Sequence, residues 1–180
     1  NFNFSFGSVM NPTDPLGHFL NIFTGNSTAI FIICAGMGVS IMTNKPDYTN
    51  EEKAKLKSKI LKRSWFLFIL GLLLYNWWSG DILHFYGGYM HFAALLIFAP
   101  KRYLLLGAII AITIFHILLF IIPINTGWDF STFKYLDFWT PIGFLRNTFY
   151  NGWNSMFPWL SYFLVGMWLG RSHWQDIVIK

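Results

Sequence analysis

Long apolar runs, separated by short polar or charged segments, make up most of this chain. The runs near 19–43, 62–78, 82–99, 103–122 and 156–170 contain few or no charged residues. An α-helix needs about 20 apolar residues to cross the hydrocarbon core of a bilayer, where the backbone must satisfy its own hydrogen bonds. The runs therefore predict an all-α, polytopic transmembrane helix bundle with about five spans.

Composition excludes an ordinary soluble domain. Only 12% of the 180 residues are charged and 54% are hydrophobic, whereas soluble domains carry about 25% charged residues. This number of charged side chains is too small to cover the surface of a globular protein in water. The lipid bilayer is therefore the expected environment. The single cysteine, Cys34, excludes an internal disulfide framework and a cysteine-based zinc site.

Basic residues predict the orientation of the bundle. Seven of the thirteen Lys and Arg residues lie between Lys45 and Arg63, and a basic segment beside apolar spans is typical of a cytoplasmic anchor. Placing the basic loop 44–61 inside leaves eleven of the thirteen basic residues inside and puts loop 123–155 outside. No basic-aromatic platform accompanies the cluster, so nucleic-acid binding is not expected.

Two further expectations concern the basic segment and the chain ends. Residues 50–63 are expected to form a short amphipathic helix, capped by Thr49 or Asn50 and preceding a separate span. The chain opens on Asn1 without a signal-peptide pattern and stops at Lys180 soon after an apolar run. Residues 1–180 are therefore expected to be a single transmembrane domain that is a fragment of a larger bundle.

A polar stripe marks the third run. Asp81, His84 and His91 fall within an arc of roughly 80° on one predicted helix, together with Gly88. Ionisable residues at membrane depth are functional candidates by default. The alternative is that Asp81 caps the helix and the histidines make interhelical hydrogen bonds. No metal site is expected, because the histidine spacing is too wide for one ion and no carboxylate cluster joins them.

Two other histidines lie near apolar runs. His18 precedes the first run on the predicted outer face, four residues after Asp14. A histidine there can take a proton from a nucleophile or accept an acyl group itself, although it can also be an ordinary boundary residue. His116 stands alone in the fourth run and is expected to be structural. The outer loop combines aromatic side chains with polar ones, which suits either a sugar-like substrate or the membrane interface.

Three stretches resemble one family. Ser79–Gly87 is similar to its "D-I-L-x-x-Y-G" element, and the stretches 151–160 and 166–171 are similar to its "P-W-L…F-x-x-G-x-x-x-G-R" helix ending. The segment from His18 to Ser40, which ends in Gly-Val-Ser, resembles an outer-loop histidine followed by a helix ending in "G-x-S". The family is the bacterial membrane family similar to heparan-α-glucosaminide N-acetyltransferase, within the wider transmembrane acyltransferase group.

The resemblance implies an enzyme that moves an acyl group, typically acetyl, from a cytoplasmic CoA thioester to an amine or hydroxyl of a sugar or envelope glycan. His18 would then be the catalytic base or acyl acceptor, while Asp81 and His84 would line the central cavity. Arg171 would meet the phosphates of acetyl-CoA or, equally, anchor its helix at the interface. The resemblance also implies the bacterial cytoplasmic (inner) membrane.

Other readings of the sequence remain open. A non-catalytic membrane subunit or scaffold would keep the fold without the chemistry, inside a homo-oligomer or larger membrane complex. A proton-coupled transporter would use Asp81, His84 and His91 as a relay.

Overall fold

The computed structural model describes residues 27–43, 47–77 and 80–171, and this part of the chain is mostly helical. Its elements are, in chain order, α1 (Ser27–Met42), α2 (Asn50–Tyr75), α3 (Leu83–Leu96), α4 (Lys101–Ile121), β1 (Trp128–Asp129), β2 (Lys134–Tyr135), α5 (Pro141–Arg146), a π-helical turn (Asn147–Asn151) and α6 (Met156–Gly170). The two short strands pair as an antiparallel hairpin. The expected helical class is therefore confirmed, with one small hairpin added.

Within the described residues, α4 is the helix that is long and apolar enough to cross a membrane by itself, with a mean hydropathy of 2.8. The helices α1 and α6 are apolar but shorter. Most apolar side chains of α4 point outward, including Phe120, which is 92% exposed. Exposed apolar side chains on such a helix suit lipid rather than water. The number of five spans stays a prediction.

Helix α2 differs from its expected form. The amphipathic segment and the following apolar run form one continuous helix of 26 residues, because no Gly or Pro interrupts the sequence between Arg63 and Trp65. Thr49 is the N-cap: its hydroxyl accepts from the Glu52 N–H, and the Glu52 carboxylate accepts from the Thr49 N–H. This capping box confirms one of the two predicted caps.

Small residues let α1 and α6 approach closely. A Cβ added at Gly36 would overlap the backbone of Phe163, and one added at Gly166 would overlap the backbone of Ile33. Such contacts are typical of membrane helices, where association depends on close packing. The predicted role of small residues in the first run is confirmed at Gly36, whereas Gly38 faces open space.

The remaining helices pack in pairs around this contact. Helix α4 packs on α6, and α2 packs on α3. A smaller contact between α3 and α6 joins these two pairs. The apolar core lies where these helices meet, and its largest fully buried side chains include Phe85, Tyr89 and Phe163. Because α3 lies between α2 and α6, a polar side chain on α3 is shielded from lipid on both sides.

The two ends of the bundle differ in chemistry. At one end, the start of α2 meets the end of α3, where the rings of Tyr48 and Phe98 are 5.6 Å apart and Lys53 lies over Phe98. Arg171, after α6, also reaches the end of α3. The opposite end carries Asp81 and residues 123–155. This segment, the predicted outer loop, contains the hairpin, α5 and the π-helical turn.

Candidate active site

Asp81 and His84 come together at the start of α3. His84 Nδ1 lies 2.9 Å from Asp81 Oδ2. The same carboxylate accepts from the backbone N–H groups of Leu83 and His84, each at 3.1 Å. The capping alternative for Asp81 is therefore confirmed, and the carboxylate also orients an imidazole. Three donors on one carboxylate favour its ionised form.

The environment of His84 leaves one ring nitrogen free. Its side chain is fully buried, against the ring of Phe85 at 3.8 Å and the rings of Tyr75 and Phe138 at 5.8 and 6.0 Å. Because Nδ1 faces the Asp81 carboxylate, we assign the proton of the neutral ring to Nδ1. Nε2 then carries a lone pair that can accept a hydrogen bond. This atom is buried and has no hydrogen-bond partner among the described residues.

Two further polar side chains lie near His84. Within the described residues, the Tyr75 hydroxyl and Asn147 Oδ1 are buried and make no hydrogen bond of normal geometry, although the Asn147 side chain lies close enough to the Tyr75 hydroxyl to interact with it. The Tyr75 ring stacks on Phe138 at 3.6 Å. A Cβ added at Gly152 would lie 2.8 Å from Asn147 Oδ1 and 2.6 Å from the Phe85 ring, which places the amide oxygen beside that ring. We call Tyr75, Asp81, His84 and Asn147 the His84 cluster.

Buried polar atoms without partners are uncommon in folded proteins, and each costs about 1–3 kcal/mol. Three of the six such side-chain atoms in the described residues belong to the His84 cluster, and polar atoms of this kind around a buried imidazole are typical of a site that binds a polar substrate. Asp81 orients the ring and Nε2 can accept a proton, so the arrangement is suited to general-base catalysis. Within the described part of the chain, no three His, Cys, Asp or Glu side chains lie close enough to hold a metal ion.

A hydrogen-bonded frame positions the segment that covers this site. The Arg146 guanidinium donates to both oxygens of Asp137, at 2.8 and 2.7 Å, and to the Tyr135 hydroxyl. That hydroxyl donates to Asn151, whose amide donates to two backbone carbonyls. Burial raises the pKa of Tyr135. The frame holds Phe138, which follows Asp137, against Tyr75 and His84.

Asp129 belongs to the hairpin and not to the His84 cluster. Its carboxylate accepts from the hydroxyls of Ser131 and Thr132, and these hydrogen bonds lower its pKa to about 2. The carboxylate therefore closes the turn between β1 and β2.

His91 lies on α3 but has different partners. Its Nδ1 lies 3.0 Å from the carbonyl oxygen of Gly87 and contacts the Ser64 hydroxyl. No carboxylate orients it among the described residues, although its Nε2 is also buried and unpartnered there. Phe68 lies against both imidazoles, with ring distances of 6.4 Å to His84 and 6.1 Å to His91. The stripe predicted on α3 therefore contains two different histidine environments.

His116 has the structural role expected for it. Its Nδ1 lies 2.8 Å from the carbonyl oxygen of Ile112, one turn earlier on α4. His18 and Ser79 lie outside the described residues, and the catalytic role of His18 stays a prediction.

Comparison with known protein families identifies the family of this chain. The family model described as "Heparan-alpha-glucosaminide N-acetyltransferase, catalytic" matches residues 5–179. The chain belongs to this family. Searches of the curated proteins and of the solved structures returned no significant match.

The match to this acetyltransferase family covers the whole His84 cluster. Members of the family are integral to the membrane, in agreement with the apolar character of α4. Family membership supports a function of the membrane acetyltransferase type and confirms the resemblance found in the sequence.

Arg171 lies at the opposite end of α3 from the His84 cluster. Its guanidinium donates to the carbonyl oxygens of Leu96, Ile97 and Ala99. The last carbonyls of a helix lack partners within the helix, and a cation there also interacts favourably with the helix dipole. In this structure Arg171 therefore caps α3 and ties it to α6.

Replacing Arg171 by alanine should destabilise the fold. Loss of three hydrogen bonds from a charged group is expected to cost about 2–4 kcal/mol, measured as a lower thermal unfolding temperature in detergent. Arg171→Lys should recover part of the loss. If instead Arg171→Ala left the unfolding temperature unchanged and raised KM for a CoA thioester, the residue would be a phosphate contact and not a cap.

Proposed function

We propose that this protein transfers an acetyl group from a CoA thioester to a hydroxyl or amine of a sugar or envelope glycan. The observation that carries the proposal is the Asp81–His84 pair, whose Nε2 is buried and unpartnered among the described residues, in a chain of an acetyltransferase family.

In the proposed reaction, His84 Nε2 accepts the proton of the acceptor as its oxygen or nitrogen attacks the thioester carbonyl. The carbon–sulfur bond breaks, the acetyl group stays on the acceptor, and His84 returns the proton to the departing CoA thiolate. Asp81 holds the imidazole in the required tautomer and stabilises it while it is protonated. General-base assistance of this kind contributes about 10²–10⁴-fold to a rate.

The neighbours of His84 suggest how the acceptor would be held. The Tyr75 hydroxyl and the Asn147 side chain lie beside each other in the His84 cluster, and their only contact of this kind among the described residues is with each other. Both would therefore be available to pair with the other polar atoms of the acceptor. The covering Phe138 would exclude water from the reacting atoms.

The arrangement of charge supports the predicted orientation. The basic half of α2, the exposed Lys101 and Arg102 at the start of α4, and Arg171 after α6 are placed toward one end of the bundle. Asp81 and Asp137 lie toward the other end. We therefore propose that the basic end faces the cytoplasm of a bacterial inner membrane and that the His84 cluster lies toward the outer face. A CoA thioester that enters from the cytoplasm would then have to extend along α3, which is about 21 Å long, for its acetyl group to reach His84.

His18 is proposed as a second catalytic residue, either as a further base in this direct transfer or as the residue that carries the acetyl group in a two-step route. In the two-step route His18 attacks the thioester and releases CoA, and the acceptor, deprotonated by His84, then takes the acetyl group from His18. The test uses the complete protein in sealed vesicles, with radiolabelled acetyl-CoA on the side of the basic end and a glucosamine oligosaccharide on the other. We expect label in the oligosaccharide, and loss of this transfer in His18→Ala. His116→Ala is the matched control, because the hydrogen bond that His116 makes among the described residues stays within its own helix.

Two outcomes of this assay have different meanings. Transfer that persists in His18→Ala would remove His18 from the mechanism but leave the reaction in place. Absence of any CoA-dependent transfer by the wild-type protein, together with co-purification of a stable partner, would contradict the proposed function and support a non-catalytic subunit.

A further inference from the structure

A pocket lies beside the His84 cluster. The cavity is about 320 Å³ and lies between α4, the hairpin and the start of α6. Aromatic rings form most of its wall, and they belong to Phe115, Trp128, Phe130, Tyr150, Trp153 and Trp159. Gly152 lies between this cavity and Phe85, which in turn packs on His84. The cavity and the His84 cluster are therefore adjacent but separate, and we call the former the aromatic cavity.

Four of the six polar side chains in the wall of the aromatic cavity are paired within the protein, whereas the indole N–H groups of Trp153 and Trp159 make no hydrogen bond to the described residues. The Asn151 amide donates to the carbonyls of Ile124 and Thr126, and its oxygen accepts from Tyr135. The Ser155 hydroxyl lies 2.6 Å from the Tyr150 carbonyl oxygen.

The Tyr150 hydroxyl and the Trp128 indole N–H also donate to backbone carbonyls. A ligand rich in hydroxyl groups would lose its hydrogen bonds to water there, at a cost of about 1–3 kcal/mol for each group left unpaired. The wall therefore favours an apolar ligand.

The rim of the aromatic cavity carries exposed apolar side chains and lies beside the end of α4, whose apolar side chains are also exposed. Phe120 and Ile121 at the end of α4 are 92% and 68% exposed, and Ile124, on the cavity wall, is 49% exposed. Phe130 and Trp153, also on the wall, are about half exposed. In a bilayer these side chains meet hydrocarbon near the membrane interface, where tryptophan is enriched. An acyl chain could therefore enter sideways without crossing a polar surface.

We propose that the aromatic cavity binds the hydrocarbon chain of a membrane lipid. The proposal depends on the mostly paired polar groups of the wall and on the exposed apolar side chains at the rim, and it is independent of acetyl transfer. Its volume lies at the lower end of the range of about 300–1,000 Å³ for ligand pockets, which suits part of one chain rather than a whole lipid.

The test uses the complete protein in nanodiscs that contain a phospholipid with a diazirine in one acyl chain. After irradiation, mass spectrometry should find the label enriched on the segment that carries Trp153 and Trp159. Phe115→Trp, which adds volume to the cavity wall, should lower this labelling several-fold. Phe120→Trp is the matched control: it is the same substitution on the same helix, but at a fully lipid-facing position, and it should leave the labelling unchanged.

A second variant tests the proposal if the first one is destabilised. If Phe115→Trp lowers the thermal unfolding temperature, Ile124→Trp narrows the rim from a half-exposed position and should lower the labelling in the same way. Labelling spread evenly over the exposed side chains of α4 would overturn the proposal, as would labelling that neither variant changes. A water-soluble diazirine sugar that labels the cavity where the phospholipid does not would identify a sugar site instead.

Discussion

His84→Asn should lower the rate of acetyl transfer by about 10²–10⁴-fold while the protein stays folded. An asparagine amide can still donate to the Asp81 carboxylate, as Nδ1 does at 2.9 Å, so the start of α3 keeps its capping carboxylate. The shorter side chain has no counterpart of Nε2, and the proton acceptor is lost. The measurements are kcat for CoA-dependent transfer in vesicles and the thermal unfolding temperature, which should change little.

His91→Asn is the matched control for this prediction. His91 lies on the same helix and also has a buried, unpartnered Nε2 among the described residues, but its Nδ1 faces a backbone carbonyl and not a carboxylate. We expect its transfer rate to stay near that of the wild type. If the two variants instead abolished a pH-gradient-driven uptake together, a proton relay through both histidines would replace the proposed base.

The Asp81–His84 pair could be predicted because its geometry is local. Residues three apart on a helix lie on the same face, and a carboxylate before an apolar run can cap the first turn. Both facts follow from the sequence around Asp81. The sequence left capping and function as alternatives, whereas the structure shows one carboxylate capping the helix and orienting the imidazole.

The rest of the His84 cluster could not be predicted because it depends on tertiary contacts. Tyr75 lies within an apolar run without any distinguishing signal, and Asn147 is one of several polar residues in the predicted outer loop. They reach His84 through the packing of α2 on α3 and through the frame around Arg146. The cap formed by Arg171 was missed for the same reason, since its partners lie more than 70 residues earlier.

Gly71→Ala is expected to damage both stability and activity, because α2 packs directly against Asp81 and His84 at Gly71. A Cβ there would overlap the backbone of His84 and lie 2.6 Å from Asp81 Oδ2. Backbone atoms at the start of a capped helix cannot move aside as the end of a flexible side chain can. We therefore expect α2 and α3 to separate locally, at a cost of about 3 kcal/mol in the free energy of unfolding.

Activity should fall further than this loss of stability explains. Displacing the Asp81–His84 pair by about 1 Å is enough to lower a rate by about 10²-fold. The measurements are the thermal unfolding temperature and kcat, taken at a temperature where the variant is still folded. Gly38→Ala is the matched control: apart from its own helix, no atom of the described residues lies within 4 Å of the added methyl group. The substitution should therefore leave transfer unchanged, and it can stabilise α1 by up to about 1 kcal/mol. Equal behaviour of the two variants would show that α2 does not pack against the site at Gly71.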